Sequence, residues 1–250
     1  MIVDLARLDP PTAGFGRCPD CPYVDVGSPA ICFACASSTI DPLPDPRCPV
    51  CDQGLKNDGT CPNYICGWDD RGFSFVRAIS MMTGTLEQVI KRYKYHDVKG
   101  WAWIFGRVVV GHLDENAGVF KRFDVIIPSP TFVGDGGRSW DHIALIVERA
   151  AAEGGNRWPF AHGTPLLIEQ TAPTDSFAGK GWRPRFDIAR EQLAPALHVP
   201  NPSLVRGRSI LLIDDVFTTG ITTHFVGHEL ARAGATEVAS LVLARAPGMR

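Results

Sequence analysis

One stretch of sequence decides the fold, residues 210–223, which read ILLIDDVFTTGITT. Its four apolar residues predict a buried strand over 209–213, because a short apolar run between turn signals is typical of a sheet covered on both faces. Asp214 and Asp215 follow at the carboxyl end of that strand, where open α/β sheets bind their ligands. A helix is predicted next, over 222–233, so we expect a ligand site between this strand and this helix.

The loop between the strand and the helix is suited to a phosphate group. Its small and hydroxylated residues allow backbone N–H groups to converge on an anion, and the helix adds the positive end of its dipole. Asp214 and Asp215 are placed to accept hydrogen bonds from a ribose diol. The other residues expected to bind are Val216, Thr218, Thr219, Gly220, Ile221 and Thr222. The alternative is that Asp-Asp starts a turn and Thr-Thr-Gly only caps a helix, but the run as a whole favours a phosphate.

The chain beyond about residue 72 alternates between helical and strand patterns. Helices are expected at 85–95, 101–113 and 140–151, and strands at 123–127, 165–168, 209–213 and 238–244. Residues 171–208 are irregular and proline-rich, and the sequence assigns no element to them. The alternation predicts an α/β fold, with a mostly parallel sheet flanked by helices on both faces.

The bulk composition is that of a globular protein. The chain has 250 residues, of which 45% are hydrophobic and 21% charged, and its formal net charge is −2. No stretch approaches ~18 consecutive apolar residues, so no membrane insertion is expected. The first residues lack a basic start followed by an apolar run, so no export signal is predicted and a cytoplasmic location is expected.

The cysteines are the sharpest feature of the composition. The eight cysteines form four close pairs: Cys18 and Cys21, Cys32 and Cys35, Cys48 and Cys51, Cys61 and Cys66. Two such pairs complete a tetrahedral Zn²⁺ site, whereas disulfide frameworks belong mainly to exported proteins. We expect two structural zinc sites, one formed by the first four cysteines and one by the last four. A cross-braced arrangement and iron in place of zinc are alternatives.

Charge and composition divide the chain near residue 72. Residues 1–70 carry four basic and ten acidic residues, and the remainder is net basic. We therefore expect a double zinc-ribbon region at 1–72 and a second domain at 73–250. Because phosphate backbones require cationic contacts, any DNA contact is expected on the C-terminal domain only. The ribbons are expected to mediate folding, self-association or contacts with a protein partner.

The 210–223 stretch resembles the loop of type I phosphoribosyltransferases that binds 5-phosphoribosyl 1-pyrophosphate (PRPP). The resemblance implies that Asp214 and Asp215 contact the ribose hydroxyls and are the catalytic carboxylates. It also implies that residues 218–222 hold the 5-phosphate. PRPP normally arrives with Mg²⁺, carried mainly by its own oxygens.

The order of motifs along the chain is similar to that of the ComF family, which includes GntX-like proteins and is linked to DNA uptake. A cysteine cluster precedes IKRYKY at 90–95, then FDVIIPSP at 123–130, and finally the PRPP loop. The family usually carries Arg-Gly-Phe-Asn-Gln after its Pro-x-Pro loop. This chain has Arg-Ser-Trp-Asp-His there, so that His142 replaces the glutamine.

Several further side chains are candidates for anion contacts. Lys94 and Ser129 are expected near pyrophosphate, although a solvated lysine and a simple turn are the alternatives. Three cations in a loop expected to be mobile could close over the leaving group: Lys180, Arg183 and Arg185. Asp141 is expected to cap a helix. Two functions remain open, a phosphoribosyltransferase that releases pyrophosphate and a non-catalytic PRPP-binding adaptor or regulator.

Overall fold

The structure is a computed structural model that describes residues 42–96, 98–163 and 165–248. The first predicted metal site, formed by Cys18, Cys21, Cys32 and Cys35, lies outside the described residues.

A four-stranded parallel sheet forms the centre of the fold, with strand order β1-β6-β5-β2. Its strands are β1 (Val76–Met81), β2 (Val125–Pro128), β5 (Ser209–Phe217) and β6 (Glu237–Arg245). Two short strands, β3 (Glu169–Gln170) and β4 (Leu197–His198), form a separate antiparallel pair. The predicted parallel sheet is therefore confirmed.

Seven α-helices of the described chain surround these strands. They are α1 (Gly84–Tyr95), α2 (Trp101–Glu115), α3 (Ala117–Phe120), α4 (His142–Gly154), α5 (Trp182–Ile188), α6 (Ala194–Ala196) and α7 (Ile221–Arg232). A π-helical turn, Ala189–Leu193, joins α5 to α6, and 3₁₀ turns occupy Tyr64–Gly67, Gly155–Arg157 and Pro202–Leu204.

Strand β5 is buried on both faces, which explains its continuous apolar run. Leu211 and Ile213 pack into the core built with α1, α2 and α4, while Ile210 and Leu212 pack into the core that includes residues of α7. Successive side chains of a strand point to opposite faces, so each core takes every second residue. The sheet is thus covered on both faces, as the apolar pattern predicts.

Three details of the structure differ from what the sequence predicts. The predicted strand at 165–168 is absent, and the short strand there begins only at Glu169. Leu167 and Ile168 are buried in the core that includes residues of α7, so their apolarity reports burial and not strand pairing. Residues 171–208 contain helices α5 and α6, which the proline-rich pattern hid. In addition, β5 continues to Phe217, so Asp214 and Asp215 lie within the strand and not after it.

No helix in the described ranges combines the length and the apolar character that crossing a membrane requires.

Candidate functional site

A cleft of about 850 Å³ opens at the carboxyl end of β2 and β5, beside the start of α7. All the predicted substrate-binding residues line it: Lys94, Ser129, Asp214, Asp215, Val216, Thr218, Thr219, Gly220, Ile221 and Thr222. The carboxyl ends of parallel strands meet at one edge of the sheet, which brings these distant residues together. The structure therefore assembles the expected residues into one concave site.

The phosphate loop is shaped by Gly220, which precedes α7 in a left-handed conformation, with φ 81°. A Cβ on this residue would lie 2.5 Å from Cζ of Phe217, so no larger side chain fits without a shift. Gly220 provides no capping side chain for the helix. The first N–H groups of α7 are consequently left to an acceptor that enters the cleft, and a phosphate is the acceptor that such a helix start favours.

Asp215 is buried, at 4% exposure, and two basic side chains converge on one of its oxygens. Oδ2 lies 2.6 Å from Nζ of Lys94 and 2.9 Å from Nε2 of His142. Although burial opposes ionisation, Lys94 and His142 hold the pKa of Asp215 well below its usual range. Asp215 is therefore a carboxylate at neutral pH, and it fixes Lys94 at the cleft.

Asp214 differs from its neighbour in exposure and in charge. It is partly exposed as a residue, and its Oδ1 accepts a hydrogen bond of 2.8 Å from the Asp215 amide. Burial and the adjacent Asp215 charge raise the pKa of Asp214 to about 7. The two carboxyl groups thus have separate tasks, one paired internally and one that changes charge near neutral pH.

His142 is the residue that sequence reasoning undervalued. It is buried at the first position of α4, and burial lowers its pKa, so the neutral ring donates Nε2–H to Asp215. Its Nδ1 is buried and has no hydrogen-bond partner in the described part of the chain. Asp141 caps α4 as expected, since its carboxylate accepts hydrogen bonds from the amides of Ile143 at 3.0 Å and Ala144 at 2.8 Å. The position of His142 directly after this cap was the one sequence signal that it lies at the start of the helix.

The two arginines among the predicted loop cations differ in whether they reach the cleft. Arg185 lines the cleft, and its Nε donates to the Lys180 carbonyl at 2.8 Å. Arg183 is exposed and pairs with Asp187 at 3.3 Å. Both arginines lie on α5, so the expected irregular loop is in part a helix. Arg138, which the sequence marked only as a family feature, also lines the cleft.

The second predicted cysteine set forms one cluster, in which the sulfur atoms of Cys48, Cys51, Cys61 and Cys66 all lie within 4.8 Å of one another. The amides of Val50 and Asn63 donate to the sulfur atoms of Cys48 and Cys61, each at 3.4 Å. Four thiol groups with this spacing fit a tetrahedral metal ion and leave no ligand position for a substrate. The last four cysteines of the chain thus share one site, as in the sequential arrangement and not the cross-braced one, and they can bind a metal ion.

Residues 172–250 match a family model described as the phosphoribosyl transferase domain, and this segment contains the phosphate loop. Comparison with curated protein sequences gave no match.

Two solved structures are similar over 58% of the chain, each with 20% sequence identity. One is the purine phosphoribosyltransferase from Pyrococcus horikoshii Ot3, of which 74% is covered with a TM-score of 0.32. The other is the allosteric regulatory enzyme of purine biosynthesis, of which 26% is covered with a TM-score of 0.33. The C-terminal part of the chain, residues 172–250, is therefore similar to the phosphoribosyl transferase domain.

Proposed function

We propose that the protein binds PRPP with Mg²⁺ in the cleft and transfers the phosphoribosyl group to a nucleophile, with release of pyrophosphate. One observation carries the proposal: every residue that the loop resemblance implicates lines a single cleft at the carboxyl edge of the sheet. The match of residues 172–250 to the phosphoribosyl transferase domain supports the same ligand.

In this proposal each part of PRPP meets a different set of residues in the cleft. The 5-phosphate is held by the amides and hydroxyl groups of residues 218–222, and the ribose diol by Asp214 and Asp215. Lys94, Ser129 and Arg185 lie on the walls of the same cleft, where their donors can neutralise the charge of pyrophosphate. Mg²⁺ would be carried mainly by the pyrophosphate and diol oxygens of PRPP, so that no dedicated protein cage would be needed for it.

In the proposed transfer the protein positions the two substrates and forms no covalent bond to either of them. The nucleophile gives its electron pair to C1 of the ribose while the bond from C1 to the pyrophosphate oxygen breaks. Pyrophosphate leaves with that bonding pair, and the proton of the nucleophile passes to a base or to water. Cationic and amide donors that are already in place stabilise the charge that develops on the leaving group.

The experiment combines calorimetry of PRPP binding in Mg²⁺ with a pyrophosphate-release assay across nucleobases and amines. The expected result is binding and turnover in the wild type, with both reduced in Asp214→Asn and Asp215→Asn. Binding without turnover would instead identify the non-catalytic PRPP-binding adaptor or regulator. Absence of PRPP binding would contradict both functions.

We also propose zinc as the ion of the Cys48, Cys51, Cys61 and Cys66 cluster. Four cysteine ligands with N–H groups directed at two of the sulfur atoms support a structural zinc site. Metal analysis of the purified chain tests this, and iron in stoichiometric amount would contradict it.

The likeness to ComF extends the proposal to a cytoplasmic protein linked to DNA uptake. The acidic balance of residues 1–70 supports placing any DNA contact on the C-terminal domain and leaving the ribbons for self-association or a protein partner. Cross-linking of the full chain to DNA at physiological salt, followed by mapping of the linked residues, tests this placement. Links confined to residues 1–72 would contradict it.

A further inference from the structure

The second cysteine cluster belongs to a segment that shares a hydrophobic core with the sheet. We call residues 42–72 the cysteine module. Its buried side chains pack with residues from β1, β5 and β6 in one cluster: Cys48, Cys51, Ile65, Phe73, Val76, Ala78, Phe217 and Val242. The cluster includes Phe217, the last residue of β5, which directly precedes the phosphate loop at residues 218–222.

Ile65 is the point at which the cysteine module meets the loop. This fully buried residue lies one position before the metal-ligand candidate Cys66. A Cβ placed on Gly220 would lie 3.2 Å from Cγ2 of Ile65. The residue that sets the shape of the loop therefore rests on a side chain whose position is fixed by the cysteine cluster.

Arg245 forms a second connection between the module and the loop. It is 2% exposed, and its Nε donates to the Cys51 carbonyl at 3.1 Å. Its Nη1 donates to the carbonyl groups of Phe217 at 2.9 Å and Ala246 at 2.8 Å. A buried guanidinium holds such partners firmly because any donor left unpaired would cost free energy. The backbone of Cys51 is thus joined to the residue at which β5 ends.

The module also holds the helix on the other side of the loop. The Trp68 ring packs edge-on against His224 of α7, with ring centroids 5.1 Å apart. The Gly72 amide donates to Nδ1 of His224 at 3.2 Å. A Cβ on Gly227 would overlap the Gly72 carbonyl oxygen, so the module and α7 are in backbone contact. Both supports of the loop, strand and helix, are therefore contacted by the cysteine module.

We propose that the cysteine module positions the phosphate loop for its ligand, with Ile65 and Arg245 as the positioning residues. The inference rests on the proposed function, because it concerns the affinity of that cleft for a 5-phosphorylated ribose. The loop binds through backbone amides that must converge on one phosphate, and in active sites a displacement of about 1 Å can cost about 100-fold in reaction rate. An ordered four-cysteine site therefore maintains ligand affinity from outside the cleft.

The test uses calorimetry of ribose 5-phosphate with the full chain and measures metal content in the same samples. Ile65→Ala removes the Cγ2 contact, whereas Ile65→Val keeps it. We expect Ile65→Ala to lose about ten-fold in affinity with unchanged metal content, and Ile65→Val to stay within about two-fold of the wild type. Leu55→Ala truncates another side chain of the module and is expected to stay within about two-fold as well.

Removal of the bound metal with a chelator is the second part of the test. The metal-free chain, checked for retained secondary structure by circular dichroism, is expected to lose at least as much affinity as Ile65→Ala. If the wild type fails to bind ribose 5-phosphate, the proposed function and this inference both fail. If the wild type binds, and either metal-loaded Ile65→Ala or the metal-free chain binds equally well, the inference alone is overturned.

Discussion

The phosphate loop and the carboxylate pocket meet in one cleft but are built in different ways. The loop is contiguous in sequence and acts through backbone shape, which Gly220 sets. The pocket joins Lys94, His142 and Asp215 from three elements, and its His142–Asp215 pair spans 73 residues of sequence. The loop should therefore respond to changes of geometry, and the pocket to changes of charge.

The largest effect is expected where a buried charge loses its partner. Lys94→Met leaves the buried Asp215 carboxylate without its cationic partner, with only the His142 hydrogen bond remaining, which should lower the free energy of unfolding by about 3 kcal/mol at pH 7. In the wild type, the lowered pKa of Asp215 gives stability that is present at neutral pH and lost as pH falls through that pKa. Without Lys94 this pKa rises, so the penalty should shrink between pH 7 and pH 5. Urea unfolding at both pH values measures it.

The matched control lies on the same helix. Lys91 pairs with Glu87 at 2.6 Å, but both side chains are exposed. Lys91→Met should change stability by less than about 0.5 kcal/mol, because exposed ion pairs contribute little. Equal losses in the two variants would show that burial of the Lys94 pair has no energetic consequence.

The phosphate loop should lose ligand affinity through a change in backbone shape, without any change in charge. Gly220→Ala places a Cβ against the Phe217 ring at a positive φ, and we expect a loss of about 100-fold in affinity for ribose 5-phosphate. The loss should be the same at pH 6 and pH 8, as measured by calorimetry. Gly118→Ala is the control, since a Cβ at Gly118 meets nothing within 4 Å. A pH-dependent loss in Gly220→Ala would contradict the contrast between the two regions.

Asp214 should give the cleft its own pH dependence. Because the pKa of Asp214 is raised to about 7, its carboxylate accepts from the ribose diol above that pH and is increasingly protonated below it. Affinity for ribose 5-phosphate should fall about ten-fold from pH 8 to pH 6 through this group. The phosphate of the ligand titrates in the same range. The measurement is therefore the difference between wild type and Asp214→Asn, and parallel profiles would refute the assignment.

The smallest effect is expected at His142. Glutamine can still donate to Asp215 and removes the unpartnered Nδ1, so His142→Gln should lose no more than about 1 kcal/mol of stability at pH 7. Urea unfolding of His142→Gln and Lys94→Met under the same conditions measures the two losses of stability. A loss as large as that of Lys94→Met would mean that His142 and not Lys94 maintains the Asp215 charge.

The same contrast explains how much could be predicted from the sequence. The strand and helix that flank the phosphate loop, and the second cysteine set, are short local patterns, and the structure has both where the sequence predicts them. The parallel sheet is confirmed as well, but its edge strand β1 has no counterpart among the predicted strands. The pairing of Asp215 with Lys94 and His142 depends on three elements that only the tertiary fold brings together. Leu167 and Ile168 show the same limit, since an apolar run signals burial but does not distinguish a strand from a buried loop. The contact of Ile65 with the loop has no local signal at all.

The central claim is that this cleft holds a 5-phosphorylated ribose, and a crystal structure with ribose 5-phosphate tests it most directly. The predicted result is a phosphate bound by the amides of residues 218–222, with the ribose hydroxyls directed at Asp214 and Asp215. A sugar phosphate bound elsewhere, or an empty cleft at saturating ligand, would contradict the account.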